Sequence, residues 1–119
     1  MPLFSDKQFK ASWSNTTTPQ APDNSGTTAV SLCGYSLVNV ANSTRAVKFF
    51  DSASSPNMAS ATPKRTVVVP ANSGHVQANF PRGILFASGL WVSVTQSAAD
   101  SDNTAPAAND VIVTVDYQS

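Results

Sequence analysis

The run Asp110-Val111-Ile112-Val113-Thr114-Val115-Asp116-Tyr117 alternates without a slip. Val111, Val113, Val115 and Tyr117 fall on one face, and Asp110, Thr114 and Asp116 on the other. Successive strand side chains point to opposite faces, so this octapeptide is predicted to be an amphipathic strand with one dry side. A dry side needs an apolar layer against it, and that requirement restricts the chain to a small set of layered architectures.

Upstream segments read the same way from Thr28 onward. Thr28 to Val40 changes phase at Gly34: Val30 and Leu32 share one face, while Tyr35 and Leu37 take the other parity. A glycine at a phase slip predicts a bulge or bend. After the Asn42-Ser43 turn, Arg45 to Asp51 is predicted as a strand with Val47 and Phe49 inward and Lys48 outward. A Ser/Ala/Pro/Asn loop runs from Asp51 to Lys64, and the strand Arg65 to Val69 stops at Pro70. Asn72-Ser73-Gly74 turns into His75 to Phe80, where Val76, Ala78 and Phe80 alternate. Ile84 to Phe86 is short, and Gly89 opens Leu90 to Thr95, with Leu90, Val92 and Val94 on one face. The stretch Gln96 to Asn109, with Asp100, Asp102, Asn103 and Pro106, is rich in poor strand formers and is predicted to be a loop.

About seven or eight short strands separated by turn signals predict an all-β, single-domain antiparallel β-sandwich or barrel. Shared parity gives the expected core: Val30, Leu32, Val47, Phe49, Val76, Phe80, Phe86, Leu90, Val92, Val94, Val111, Val113 and Val115.

Residues 1–27 differ from the rest. Asn15 to Gly26 is polar, proline-punctuated and without periodicity, which predicts an extended N-terminal arm ahead of a sandwich domain spanning 28–119. Phe4, Phe9 and Trp13 are too scattered for a helical stripe. They either dock on the domain's own core or reach into a neighbouring subunit; the expectation here is partner contact, with the arm ordered only on the assembled particle.

At 119 residues the chain is one domain, and it buries roughly two-thirds of its unfolded surface. Cys33 is its only cysteine, so no bridge forms within one chain. Seven basic and seven acidic residues cancel, which removes the electrostatic case for direct nucleic-acid or membrane binding. The N-terminal residues lack the apolar segment of a secretory signal, and synthesis in a cytoplasm is expected.

Candidate chemistry is sparse. A nucleophile needs a base, but Cys33 and His75 occupy no nucleophile motif, and Gly-x-Ser-x-Gly is absent. No catalytic activity and no cofactor are expected. Asp100, Asp102 and Asn103 offer hard oxygen ligands at short spacing, a weak Ca²⁺ candidate without the twelve-residue loop pattern that such sites use. Trp91 has the parity opposite Leu90 and Val92. It either fills a partner's pocket, stacks on a sugar together with Tyr35 or Tyr117, or lies under a loop; partner contact is expected.

Four features together resemble small virion proteins of tailed bacteriophages. They are the lysine–aromatic strand Val47-Lys48-Phe49-Phe50, the turn Pro70-Ala71-Asn72-Ser73-Gly74, the run Phe80-Pro81-Arg82-Gly83-Ile84-Leu85-Phe86-Ala87-Ser88-Gly89-Leu90, and the closing strand Asp110 to Tyr117 after an Asp-rich loop. The resemblance covers about Val30 to Tyr117. It implies a jelly-roll sandwich incorporated in the phage particle, of capsid decoration (cement) type. It also implies the major capsid protein as partner and homo-oligomeric display on the capsid surface. The alternative is a tail- or fibre-associated carbohydrate-binding module.

Overall fold

The computed structural model describes residues 7–13, 16–22, 29–107 and 110–118. They form β1 (Lys7–Trp13), β2 (Val30–Asn39), β3 (Arg45–Asp51), β4 (Arg65–Val69), β5 (Gly74–Phe86), β6 (Leu90–Thr95) and β7 (Val111–Gln118). Every pairing is antiparallel. The strands divide into a larger sheet, ordered β1-β7-β2-β5, and a smaller one, ordered β4-β3-β6.

That order follows from one long hairpin. β1 pairs with β7, β2 with β5, and β3 with β4. The missing rung is supplied by Gln20, which makes an isolated antiparallel bridge to Val92 of β6; each residue's N–H reaches the other's carbonyl at 2.9 Å. Counting the Gln20 segment, eight extended segments pair first with last, second with seventh, third with sixth and fourth with fifth. The hairpin then rolls over, so that β7 also pairs with β2 and β6 also pairs with β3. This is the jelly roll, which distributes the rungs over two packed sheets.

Local chemistry fits each strand to its place. β7 alternates buried and half-buried along its whole length, as its sequence predicts. The phase slip at Gly34 is a bulge: the register of β2 shifts between Leu32 and Gly34 against both neighbours. A Cβ at Gly34 would stand 2.8 Å from the Ala78 carbonyl oxygen, so the backbones approach there only because glycine lacks one. At the β4–β5 turn, Asn72 and Ser73 both take positive φ, and a Cβ on Gly74 would stand 2.2 Å from the Pro70 oxygen. Every predicted core residue faces the interior; Val76 and Phe80 are partly buried there and the others fully. Tyr35, stacked on Phe49 at 5.4 Å between ring centroids, joins them, with Leu37, Val69 and Tyr117. Fully burying one such side chain contributes about 1.5–3 kcal/mol.

The expected arm is corrected for its described part. Lys7–Trp13 is an edge strand of the larger sheet, in register with β7 from Lys7↔Tyr117 to Trp13↔Val111. Phe9 and Ala11 pack against the core, and Trp13 is wholly inside it. None of this strand is a free arm: Trp13 is wholly enclosed and cannot reach a partner in the folded chain, while Phe9 is partly buried against the chain's own core. The boundary at residue 27 therefore does not mark where the sandwich begins. The physical reason is period two: Phe9, Ala11 and Trp13 lie two apart and line one strand face, a pattern that a search for helical stripes passes over. Phe4 and residues 23–28 lie outside the described residues.

The indole Nε1 of Trp13 has no hydrogen-bond partner among the described residues. Trp13→Phe should therefore cost far less than Trp13→Ala, for which about 3–5 kcal/mol is expected from the cavity and lost transfer energy. Urea melts of the two variants measure the difference; equal losses would show that the indole N–H is paired. Deleting the chain through Trp13 should lower the melting temperature sharply, and an unchanged melt would return β1 to the status of an arm.

Candidate functional site: the covered face of the smaller sheet

Strands with one dry face alternate in burial, but β3 and β6 do not. Ala46, Lys48 and Phe50 of β3 and Ser93 and Thr95 of β6 point away from the core, yet all are buried. β3 and β6 are therefore covered on both faces, while the outward Val68 of the edge strand β4 stays exposed. Segments 16–20, 51–62 and 96–107 supply the bonds that cover their outer face.

Lys48 is central to that cover. Its expected outward direction holds, but its expected exposure does not: the side chain is fully buried. Its Nζ donates to the carbonyl oxygens of Ala99, at 2.7 Å, and Asp102, at 3.0 Å. Desolvation pulls its pKa below the ordinary lysine value, and the charges of Asp102 and Asp100 partly oppose that. A buried ammonium is tolerable only with such partners.

Asp102 shapes the loop from the other side. Its carboxylate accepts the Ser97 N–H at 2.7 Å and the Thr104 N–H at 3.0 Å. Burial alone would raise its pKa, but the hydrogen bonds from Thr104 and Ser97 outweigh that and hold it at about 2. Thr95 Oγ1 donates to the Ser97 carbonyl at 2.7 Å, and Gln96 Nε2 to the Ala105 carbonyl at 2.8 Å. Segment 16–20 is stitched on by Ser93 Oγ to the Thr17 carbonyl and Thr17 Oγ1 to Asn103 Oδ1.

At the other end of β3 and β6, Trp91 is half-buried, and its Nε1 donates to the Ser52 carbonyl at 3.1 Å. This matches the reading of Trp91 under a loop more closely than a ring presented to a partner. Ser52 also lines a cavity of about 390 Å³, together with Phe50, Asp51, Ser54, Asn57 and Thr62 among others; Trp91 is not part of that lining. Such a lining suits water or a small neutral polar group. Asp51 Oδ1 is already taken by the Ser88 N–H at 2.9 Å.

The other candidates are dispersed. Of the Ca²⁺ candidates, Asp102 accepts a backbone amide on each carboxylate oxygen, Asn103 accepts from Thr17, and Asp100 is exposed. Among the described residues no three His, Cys, Asp or Glu side chains converge on a metal position. Cys33 is buried at the β2 bulge, and His75 pairs with Val38, five residues further along β2, so the two do not meet. Instead His75 Nε2 sits 2.8 Å from Ser36 Oγ on the exposed face of the larger sheet. Nucleophile and base stand at such a distance, yet no carboxylate is bonded to this imidazole among the described residues, and the pair is exposed. Tyr35 and Tyr117 are core residues, the latter donating its O–H to the Pro22 carbonyl at 2.9 Å. Neither is presented to a sugar.

No protein-family model matches the chain, and no curated protein does. Among solved structures it is similar to the tobacco streak virus coat protein in a C2 crystal form, at 12% identity and TM-score 0.41, over 96% of this chain and 89% of that one. The coat-protein dimer of the same virus matches at 10% identity and TM-score 0.42, over 98% and 90%. The sugar 3,4-ketoisomerase QdtA of Thermoanaerobacterium thermosaccharolyticum, solved with TDP, matches at 7% identity and TM-score 0.31, over 100% and 63%. The fold assignment rests on the strand pairing and not on these likenesses.

Lys48→Met keeps the apolar stem but strips Ala99 and Asp102 of their donor. A loss of about 1.5–3 kcal/mol is expected, together with faster amide exchange across 96–104. Unchanged exchange there would mean that the ammonium does not hold the loop. Asp102 has its folded pKa depressed from 3.8 to about 2, so its contribution is present above pH 3.8 and lost as pH falls toward 2. The Ser97 and Thr104 amides should lose protection through that window, and Asp102→Asn should abolish the pH dependence.

Proposed function

We propose that the chain is a structural virion protein and, within that class, a capsid decoration (cement) protein of a tailed bacteriophage. In this reading it is made in the host cytoplasm and displayed on the capsid surface, where it bridges and stabilises major capsid subunits. It has no catalytic role, no cofactor and no direct contact with nucleic acid or membrane.

The observation that carries the reading is what fills the jelly roll. Jelly rolls serve as capsid domains, as lectins and as cupins. Here the space between the sheets is packed by Trp13, Phe49, Phe86 and Tyr35 among aliphatic side chains, and the single histidine lies outside on an exposed face. Among the described residues the interior offers no donor set for metal chemistry, which directs attention to the surfaces. The stretches resembling phage virion proteins fall on the shaped parts of the scaffold: the strand carrying Lys48, the positive-φ turn at Asn72-Ser73, and the β5 bulge at Phe80–Gly83. Loops bonded to a rigid sheet suit a protein whose task is to transmit load between neighbours.

The alternative, a carbohydrate-binding module on a tail or fibre, keeps the hydroxyl-lined cavity of segment 50–62 but loses Tyr35 and Tyr117 to the core. Copy number separates the two readings. Quantitative mass spectrometry of purified particles should find on the order of hundreds of copies, as shell symmetry multiplies a subunit. A handful to a few dozen copies would favour the tail or fibre. His75→Ala and Cys33→Ala should leave particle stability intact; loss of virion function from either variant with an unchanged fold would contradict the non-catalytic assignment.

A further inference from the structure

An edge strand presents unpaired amide and carbonyl groups that invite another strand, and proteins blunt such edges with lysine, proline, bulges or covering segments. The two sheets have four edges. β6 is covered by Gln20, bonded in both directions to Val92. β5 contains Pro81, which has no N–H, and bulges where Phe80–Gly83 stands opposite the single residue Cys33, with Gly83 at φ 71°. β1 carries exposed Lys7 and Lys10.

β4 is different. Arg65-Thr66-Val67-Val68-Val69 contains no Pro, Gly or Lys and is rich in residues of high strand propensity. Val68 is 50% exposed. Among the described residues no strand pairs with its outer edge.

We propose that β4 is a self-association edge. It pairs antiparallel with β4 of a second copy across a two-fold axis, joining two three-stranded sheets into one continuous sheet. The register centred on Val67 sets Val67 against its twin, Thr66 against Val68 and Arg65 against Val69. No like charges face each other in that register. The two Arg65 stand at opposite ends, about 14 Å apart at strand spacing, and each guanidinium already lies 5.0 Å from the centroid of its own Phe80 ring. A formal net charge of zero adds no long-range repulsion between copies. Pro63 and Pro70 bracket the strand and limit the ladder to its length.

A second copy fits better than a foreign strand because the contact closes. Once β4 meets β4, every edge left is blunted, so assembly stops at two and forms no filament. The ladder buries well under the roughly 1,200 Å² of a stable standard-size interface, so the dimer is weak in solution. It gains strength where many copies are held on a repeated surface. The inference stands apart from the shell reading, since it concerns the free protein.

The test uses the full chain in solution. Between micromolar and millimolar concentration, the ¹H–¹⁵N signals of residues 65–69 should move, and sedimentation should shift from monomer toward dimer. Val68→Lys should abolish both changes without altering the melting temperature, and Val68→Thr should retain them. Absence of concentration dependence at millimolar protein would overturn the proposal. So would shifts centred on β1 or β5, or a Val68→Lys variant that dimerises like the wild type.

Discussion

A charged nitrogen buried on the outside of a sheet constrains much of this molecule. The Lys48 ammonium has left water and is held by two carbonyl oxygens of the 96–107 loop. Its desolvation opposes folding, and the two charge-assisted bonds offset it only while that loop lies over β3. The loop in turn presents Asn103 to Thr17, which helps set segment 16–20 beside β6. From there Gln20 reaches Val92 and completes the rung that turns seven strands into a jelly roll.

The hairpin view explains why distant segments matter to one another. β1 pairs with β7, so the two ends of the described chain close the larger sheet together. Trp13 at the end of β1 enters the same core as Val111 opposite it. Asp110 performs a similar task at the start of β7. Its carboxylate takes the Arg45 Nε–H at 3.0 Å and the Ala107 N–H at 2.8 Å, while its carbonyl takes the Val40 N–H at 2.8 Å. One side chain thus ties β3, β7 and the end of the long loop, and its partial burial strengthens the pair over a surface ion pair.

Much of the fold was legible in parity. β7, the Gly34 bulge, the inward faces of β3 and β6 and the terminating Pro70 all follow from rules about single strands. What parity does not supply is the covering of the other face. Lys48 reads as solvent-facing because its strand alternates, and only a loop closing over it more than fifty residues later makes it buried. A local signal did exist: Phe49-Phe50 and the run Leu90 to Thr95 place apolar or small side chains on both faces, as strands covered on both sides do. β1 was obscured differently, since two lysines and a proline-broken sequel disguise a short strand whose apolar side is Phe9, Ala11 and Trp13. The hydrogen bonding of the Asp-rich loop was illegible for a third reason. Asp102 and Asn103 have the right ligand chemistry, but backbone amides and Thr17 claim their oxygens first.

β3 and β6 are dry on both faces under loops pinned by Lys48. Native-state hydrogen exchange of the wild-type chain measures this most directly. The amides of 46–50 and 92–95 should exchange as slowly as those of 113–115 in the larger sheet, opening only with global unfolding. Exchange of the β3 and β6 amides at loop-like rates, well before β7, would show that the outer face is wet and that the cover does not hold.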